Sequence, residues 1–246
     1  MTLYHAGNRT QSWYGESIGI LTLNARYPCI PGNVANASTF PFPVRYRVVK
    51  EASIDRLLKK KDKSLLQPFI DAALELQEEG VKAITGACGF MALFQREVSD
   101  AVSIPVFLSS LLQIPFIYRT LKRGQKIGVI TADSTALTAE HFVSVGVDEG
   151  IPLVIKGMED QREFREAVLE EKGTLDSGLI EKEVIGVARS LLRENPETGA
   201  ILLECSDLPP YAMAIQRESG LPIFDFVTMI QYVHSAVVRY RFHGFV

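Results

Sequence analysis

The chain has little of what metal sites, disulfide frameworks and histidine chemistry are built from: its 246 residues include three cysteines, four histidines and one tryptophan. Cys29, Cys88 and Cys205 lie far apart and none has a C-x-x-C partner, which excludes a disulfide scaffold and a zinc site. Reduced thiols and no bound metal are therefore expected. No apolar run reaches spanning length, and Met1 to Glu16 lacks the basic flank and apolar core of a signal peptide. The expectation is a cytoplasmic protein with no membrane partner. No glycine-rich phosphate loop or matching motif is present, so no nicotinamide, flavin or pyridoxal phosphate cofactor is expected. The net charge of -3 comes from interspersed charges, and the one basic cluster, Lys59-Lys60-Lys61-Asp62-Lys63, fits a solvated helix end better than a nucleic-acid surface.

What the chain does have is an internal repeat. Ala83-Ile84-Thr85-Gly86-Ala87-Cys88 returns as Ala200-Ile201-Leu202-Leu203-Glu204-Cys205, and Ile104-Pro105-Val106-Phe107 returns at the same offset as Leu221-Pro222-Ile223-Phe224. Upstream, Ile18-Gly19-Ile20-Leu21-Thr22 is echoed by Ile127-Gly128-Val129-Ile130-Thr131. Two copies of one α/β unit imply two thiols related by a pseudo-twofold axis, each at the end of an apolar strand.

At 47% hydrophobic residues the chain can bury a sizeable core. Strand and helix signals alternate along it. Strands are expected at 18–23, 81–85, 105–108, 127–131, 153–155, 200–203 and 222–224. Helices are expected at 64–79, 90–101, 111–122, about 138–145, through Ile180 to Leu192, after Pro209-Pro210, and at 228–240. This alternation predicts an α/β protein with two similar doubly wound parallel-sheet lobes and an active site between them. The repeat places the first lobe at 1–113 plus 218–246 and the second at 114–217. In open parallel sheets ligands bind beyond the carboxyl ends of the strands, where both cysteines sit. Asn24 to Val44, rich in proline and asparagine, is too long for a routine connection and leaves the end of the first strand. Its Asn36 and Thr39 are candidate substrate contacts; a surface excursion packing its own prolines and Phe40 is the alternative.

Each cysteine is followed by turn-compatible residues, Gly89 or Ser206, and then by a helix, so backbone N–H groups can lower a thiol pKa or cradle a carboxylate. Asp207 near Cys205 favours the thiol there, leaving Cys88 as the expected resting thiolate. Glu204 is expected to point away from Cys205 if the strand continues. Thr131 is well placed to reach the cleft. His141 is the one histidine near the region and is expected to be partly exposed; Cys29 has no counterpart in the repeat and is read as incidental.

On Thr85-Gly86-Ala87-Cys88-Gly89-Phe90, Leu203-Glu204-Cys205-Ser206-Asp207 and Gly128-Val129-Ile130-Thr131, the chain resembles the aspartate/glutamate racemase superfamily over nearly its entire length. The resemblance implies that Cys88 and Cys205 are the two acid/base catalysts, with Gly89, Phe90, Ser206 and Asp207 contacting substrate. Asn-Thr after the first cysteine and Thr after the second, typical of glutamate and aspartate racemases, are replaced here by Gly89-Phe90 and Ser206. These neighbours look more like the hydantoin racemase and arylmalonate decarboxylase relatives. The expected activity is a cofactor-independent racemase or epimerase, an isomerase acting on an amino acid or related small carboxylate. One thiolate would remove an α-proton and one thiol return a proton on the opposite face. A decarboxylase, isomerase or cysteine hydrolase of the same fold, or a two-lobed binding protein, are the alternatives. The apolar residues of the last segment, from Tyr232 onward, suit either a homo-oligomer or packing on the first lobe.

Overall fold

The computed structural model of the protein describes residue 3 and residues 13–245. Most of the amino-terminal stretch read for a leader, and Val246, lie outside the described residues.

Apolar runs form the strands, and each sheet carries the same order. In the first, β1 (Ile18–Leu23), β2 (Val44–Val49), β3 (Ala83–Gly86) and β4 (Val106–Phe107) lie as β2-β1-β3-β4, all parallel. In the second, β5 (Lys126–Thr131), β6 (Leu153–Gly157), β7 (Thr198–Leu203) and β8 (Ile223–Phe224) lie as β6-β5-β7-β8, again parallel. Helices α1 (Leu66–Glu78), α2 (Gln95–Ala101), α3 (Ile114–Thr120) and α4 (Ala139–Ser144) are followed by a short α5 (Arg162–Phe164). Then come α6 (Ser177–Glu194), α7 (Ala212–Ser219) and α8 (Phe226–Val237). The molecule is α/β with two four-stranded parallel sheets, as the alternation predicts.

The repeat extends into packing. A Cβ on Gly19 would come 2.9 Å from Leu76 of α1, and one on Gly128 2.8 Å from Leu191 of α6. Glycine thus lets a helix lie close on the central strand of each sheet. Helix α1 stops at Gly80, whose φ of +86° suits a residue without Cβ. Asp176 caps α6 by accepting from the Leu179 amide at 3.0 Å, and Asn195 closes it ahead of Pro196.

Three features depart from the sequence expectations. Val44–Val49 is an edge strand that the sequence reading did not assign. The stretch after Cys88 begins as a 3-10 helix, Gly89–Phe94, before α2. Strand β8 belongs to the second sheet although it falls within 218–246, while α8 buries Phe226, Met229, Ile230 and Val233 against Ile18, Ile20 and Ala83 of the first. Beyond α8, Tyr240, Phe242 and Phe245 are exposed. Among the described residues no helix is long and apolar enough to cross a membrane.

Candidate active site

The two cysteine turns meet because equivalent strands deliver them to one place. β3 ends at Gly86, and Cys88, in extended conformation, starts the 3-10 helix Gly89–Phe94. β7 ends at Leu203, the Glu204 amide still bonds the Ile130 carbonyl at 2.8 Å, and the chain then turns through Cys205. The Ser206 hydroxyl donates to the Ala87 carbonyl at 2.7 Å, tying one turn to the other across the lobes. Between them lies a narrow pocket lined by Cys88, Gly89, Phe90, Glu204, Cys205, Ser206, Asp207 and Tyr27.

Its remaining walls are hydrocarbon, in part from two related π-helical turns. Asp55–Lys59 supplies Leu58 and Arg165–Leu169 supplies Val168 and Leu169, each turn closed by an i to i+5 hydrogen bond (Lys60 amide to Asp55 at 3.0 Å, Glu170 amide to Arg165 at 2.9 Å). Such turns are rare in helices and recur at functional sites. Here the two lobes contribute one each.

The polar side of the pocket is acidic. Asp207 is surrounded by neutral donors: Cys205 Sγ at 3.4 Å, the Tyr27 hydroxyl at 3.1 Å, and Asn33 Nδ2. Burial raises its pKa while these donors oppose the rise. Glu204 is fully buried; its Oε2 accepts from the Thr131 hydroxyl at 2.7 Å, whereas Oε1 has no hydrogen-bond partner among the described residues. Burial lifts its carboxyl to about 7. Gly89 is what admits it. A Cβ there would overlap the Glu204 carboxylate and sit 2.5 Å from the Glu204 carbonyl oxygen.

Both thiols are held protonated. Burial, followed by the Glu204 charge, pushes Cys88 well above the usual thiol range, against the pull of the Phe90 and Met91 backbone N–H groups. Burial and then the Asp207 charge do the same to Cys205. The expectation of Cys88 as a resting thiolate therefore gives way to desolvation; the effect of Asp207 on Cys205 has the expected sign.

Of the residues singled out in the sequence, Cys88, Gly89, Phe90, Cys205, Ser206 and Asp207 line the pocket. Thr131 is buried behind it and reaches it through Glu204. Asn36 and Thr39 serve the loop instead. Asn36 accepts from the Ser38 amide at 2.9 Å and donates to the Cys29 carbonyl at 2.8 Å; Thr39 donates to the Asn33 carbonyl at 2.7 Å. His141 is fully buried rather than partly exposed, its Nδ1 accepting from the Thr138 amide at 3.1 Å and its ring edge-on to Phe90 at 5.2 Å. Burial lowers its pKa to about 4, so it stands neutral behind the pocket wall.

Tyr27 and Asn33 carry no role in the sequence expectations, and Glu204 stands against its expected orientation. Tyr27 and Asn33 come from the Asn24 to Val44 segment, which crosses to the second lobe; its Val34 amide bonds the Ser206 carbonyl at 3.3 Å. Glu204 was expected to face away because strand alternation was extended through it, but β7 stops one residue earlier and parity no longer applies. Among the described residues no group of three or more His, Cys, Asp or Glu side chains is arranged to hold a metal ion.

No protein-family model matches the chain. It is 31% identical over 217 residues to a dimethylsulfoniopropionate lyase of Durusdinium sp. clade D, covering 86% of this chain and 71% of that protein. The chain belongs to the dimethylsulfoniopropionate lyase family. Two further members, lyases 3 and 6 of Emiliania huxleyi, are 32% and 33% identical over 221 residues; the chain spans 57% of the length of each. Among solved structures the fold is shared with arylmalonate decarboxylase in a sulfate-associated form (TM-score 0.60, 15% identity, 91% of this chain and 94% of that one). It is shared equally with aspartate racemase of Picrophilus torridus (TM-score 0.59, 15% identity, 90% and 94%). The fold is thus that of the aspartate/glutamate racemase superfamily, as the cysteine motifs suggested. The expected activity is corrected: the family relatives are lyases, so the reading as an isomerase, a racemase or epimerase, is withdrawn. The carbon-bond-breaking alternative stands closer to the finding.

Proposed function

We propose that the protein is a lyase that cleaves dimethylsulfoniopropionate or a closely related β-sulfonio carboxylate by β-elimination. The observation that carries this is the 31% identity to the Durusdinium lyase across 86% of the chain. The pocket chemistry supports it. A thiolate removes the proton next to the carboxylate, the electron pair forms the new carbon–carbon double bond, and the carbon–sulfur bond breaks with both its electrons leaving on sulfur. The products are dimethyl sulfide, acrylate and one proton on the enzyme, so atoms and charge balance.

We assign the base to Cys88. It is half-buried at the pocket wall, and the Phe90 and Met91 backbone N–H groups face its sulfur and stabilise the anion. Cys205 already donates to Asp207, which keeps it a thiol. Elimination needs a proton removed from one face only. The second thiol is therefore not required to return one.

The test is incubation of the purified chain with dimethylsulfoniopropionate and headspace measurement of dimethyl sulfide, with acrylate followed by NMR. Release of both in equal amounts, abolished in Cys88→Ser, is the expected result. Absence of both from correctly folded protein overturns the reading.

A further inference from the structure

The pocket is short of positive charge in a way that points to what enters it. Its lining includes two carboxyl side chains, Glu204 and Asp207, and no lysine, arginine or histidine. Asp207 is fully engaged, but all three of its partners are neutral donors, so hydrogen bonds stabilise its charge without cancelling it. Glu204 adds an independent sign: its Oε1 is buried at the pocket with no partner among the described residues. A buried carboxyl oxygen without a hydrogen-bond partner is costly unless something arrives to face it.

We propose that Asp207, with Tyr27 and the open oxygen of Glu204, forms a subsite for an organic cation, a sulfonium or quaternary ammonium head whose methyl groups pack on Phe90, Leu58 and Val168. Hydrocarbon walls fit methyl groups, and two aromatic side chains, Tyr27 and Phe90, are part of the lining; aromatic rings attract a diffuse positive charge. A hydrated metal ion fits less well. No three ligand side chains are grouped for one among the described residues, and the walls offer little to replace water. The identity of the head as dimethylsulfonium rests on the lyase reading; the preference for positive charge rests on the lining residues alone.

This subsite also changes the state of the thiols. Both are protonated, through burial first and the neighbouring carboxyl groups second. A cation beside them offsets the carboxylate part of this effect, so its entry eases loss of a thiol proton to solvent and formation of the thiolate that the elimination needs. A neutral molecule of the same shape cannot do this.

The experiment compares two carboxylates that differ by one charge, 3-(trimethylammonio)propionate and 4,4-dimethylpentanoate, by titration calorimetry on the full chain. At a separation of about 5 Å and an effective dielectric of about 20 the charge pair is strong, and desolvation of the head offsets part of it, so a preference of at least about tenfold for the cation is expected. Asp207→Asn should bring the two affinities within about threefold of each other. Thiolate absorbance should rise with the cationic ligand only. Equal binding of the two ligands to the unmutated protein, or binding of neither, overturns the proposal without any variant having to fold. An undiminished preference in folded Asp207→Asn also overturns it. Cation preference without dimethyl sulfide release would sink the lyase reading and keep the subsite; release without preference would do the reverse.

Discussion

Replacing Glu204 with glutamine isolates the energetic consequence of burying a carboxyl at the pocket. Burial raises its pKa from 4.5 to about 7. At about 1.4 kcal/mol for each tenfold change in proton affinity, this corresponds to roughly 3 kcal/mol. The sign follows from which state holds the proton more tightly. The folded protein does, so this contribution is fully present below pH 4.5, declines as the pH rises through the interval, and is lost above about 7. Glutamine keeps an oxygen for the Thr131 hydroxyl but has no proton to lose. Urea unfolding of both proteins across the range from about pH 4 to about pH 8 gives two stability curves, and their difference removes the contribution of every other titrating group. The wild-type protein should lose about 3 kcal/mol relative to the glutamine variant over this range, nearly all of it below about pH 7.5. Curves that stay parallel within about 0.5 kcal/mol would refute the assignment of a buried, proton-retaining Glu204.

Three further outcomes are expected. Cys88→Ser should lower kcat for elimination by at least about 10²-fold, because a hydroxyl is too weakly acidic to replace the thiol as base. Cys205→Ser, whose hydroxyl can still donate to Asp207, should stay within about tenfold; steady-state kinetics of both variants checks the division of roles. Gly89→Ala should cost roughly 1–3 kcal/mol in thermal or urea unfolding and reduce activity about 10²-fold. The added methyl meets a backbone carbonyl as well as the Glu204 side chain, so rotating that side chain alone gives no relief. Cys29→Ser should leave activity within about threefold of wild type, since the Cys29 thiol only faces the Tyr27 carbonyl at 3.7 Å.

The architecture was legible because it repeats. Central strands buried on both faces read as continuous apolar runs, and the offset between Ala83–Cys88 and Ala200–Cys205 marks equivalent places in two sheets of equivalent order. What escaped detection depends on contacts between distant segments. In β2 the arginines look like surface residues until Arg45 meets Glu79 of the adjoining α1–Gly80 turn at 2.8 Å and Arg47 meets Glu75 of α1 at 3.2 Å. Tyr27 and Asn33 acquire a role only because their loop crosses to Asp207. The π-helical turns gave no sequence signal either: Asp55-Arg56-Leu57-Leu58-Lys59 and Arg165-Glu166-Ala167-Val168-Leu169 share hydrophobicity only at their third and fourth positions.

The error about the reaction has a different origin. Removing a proton next to a carboxylate is the opening step of racemisation and of β-elimination alike, so two thiols at matched strand ends fit either. The outcome is decided by what stands on the neighbouring carbon and whether it can leave with the bonding electrons. A sulfonium can; a hydrogen or a carbon chain cannot. For the proposed elimination the decisive information therefore sits in the residues of the proposed cation subsite, Glu204, which a strand one residue longer would have turned away, and Tyr27, from a different lobe. Burial and neighbouring carboxyl groups together disfavour thiolates in this pocket, and a cation bound in the proposed subsite would offset the carboxyl part. In the proposed elimination, base and leaving group would then be coupled through one charge: the cation that eases deprotonation of Cys88 would be the group that departs, and once it has left as neutral sulfide the thiol would regain its proton affinity and hold the proton it has taken.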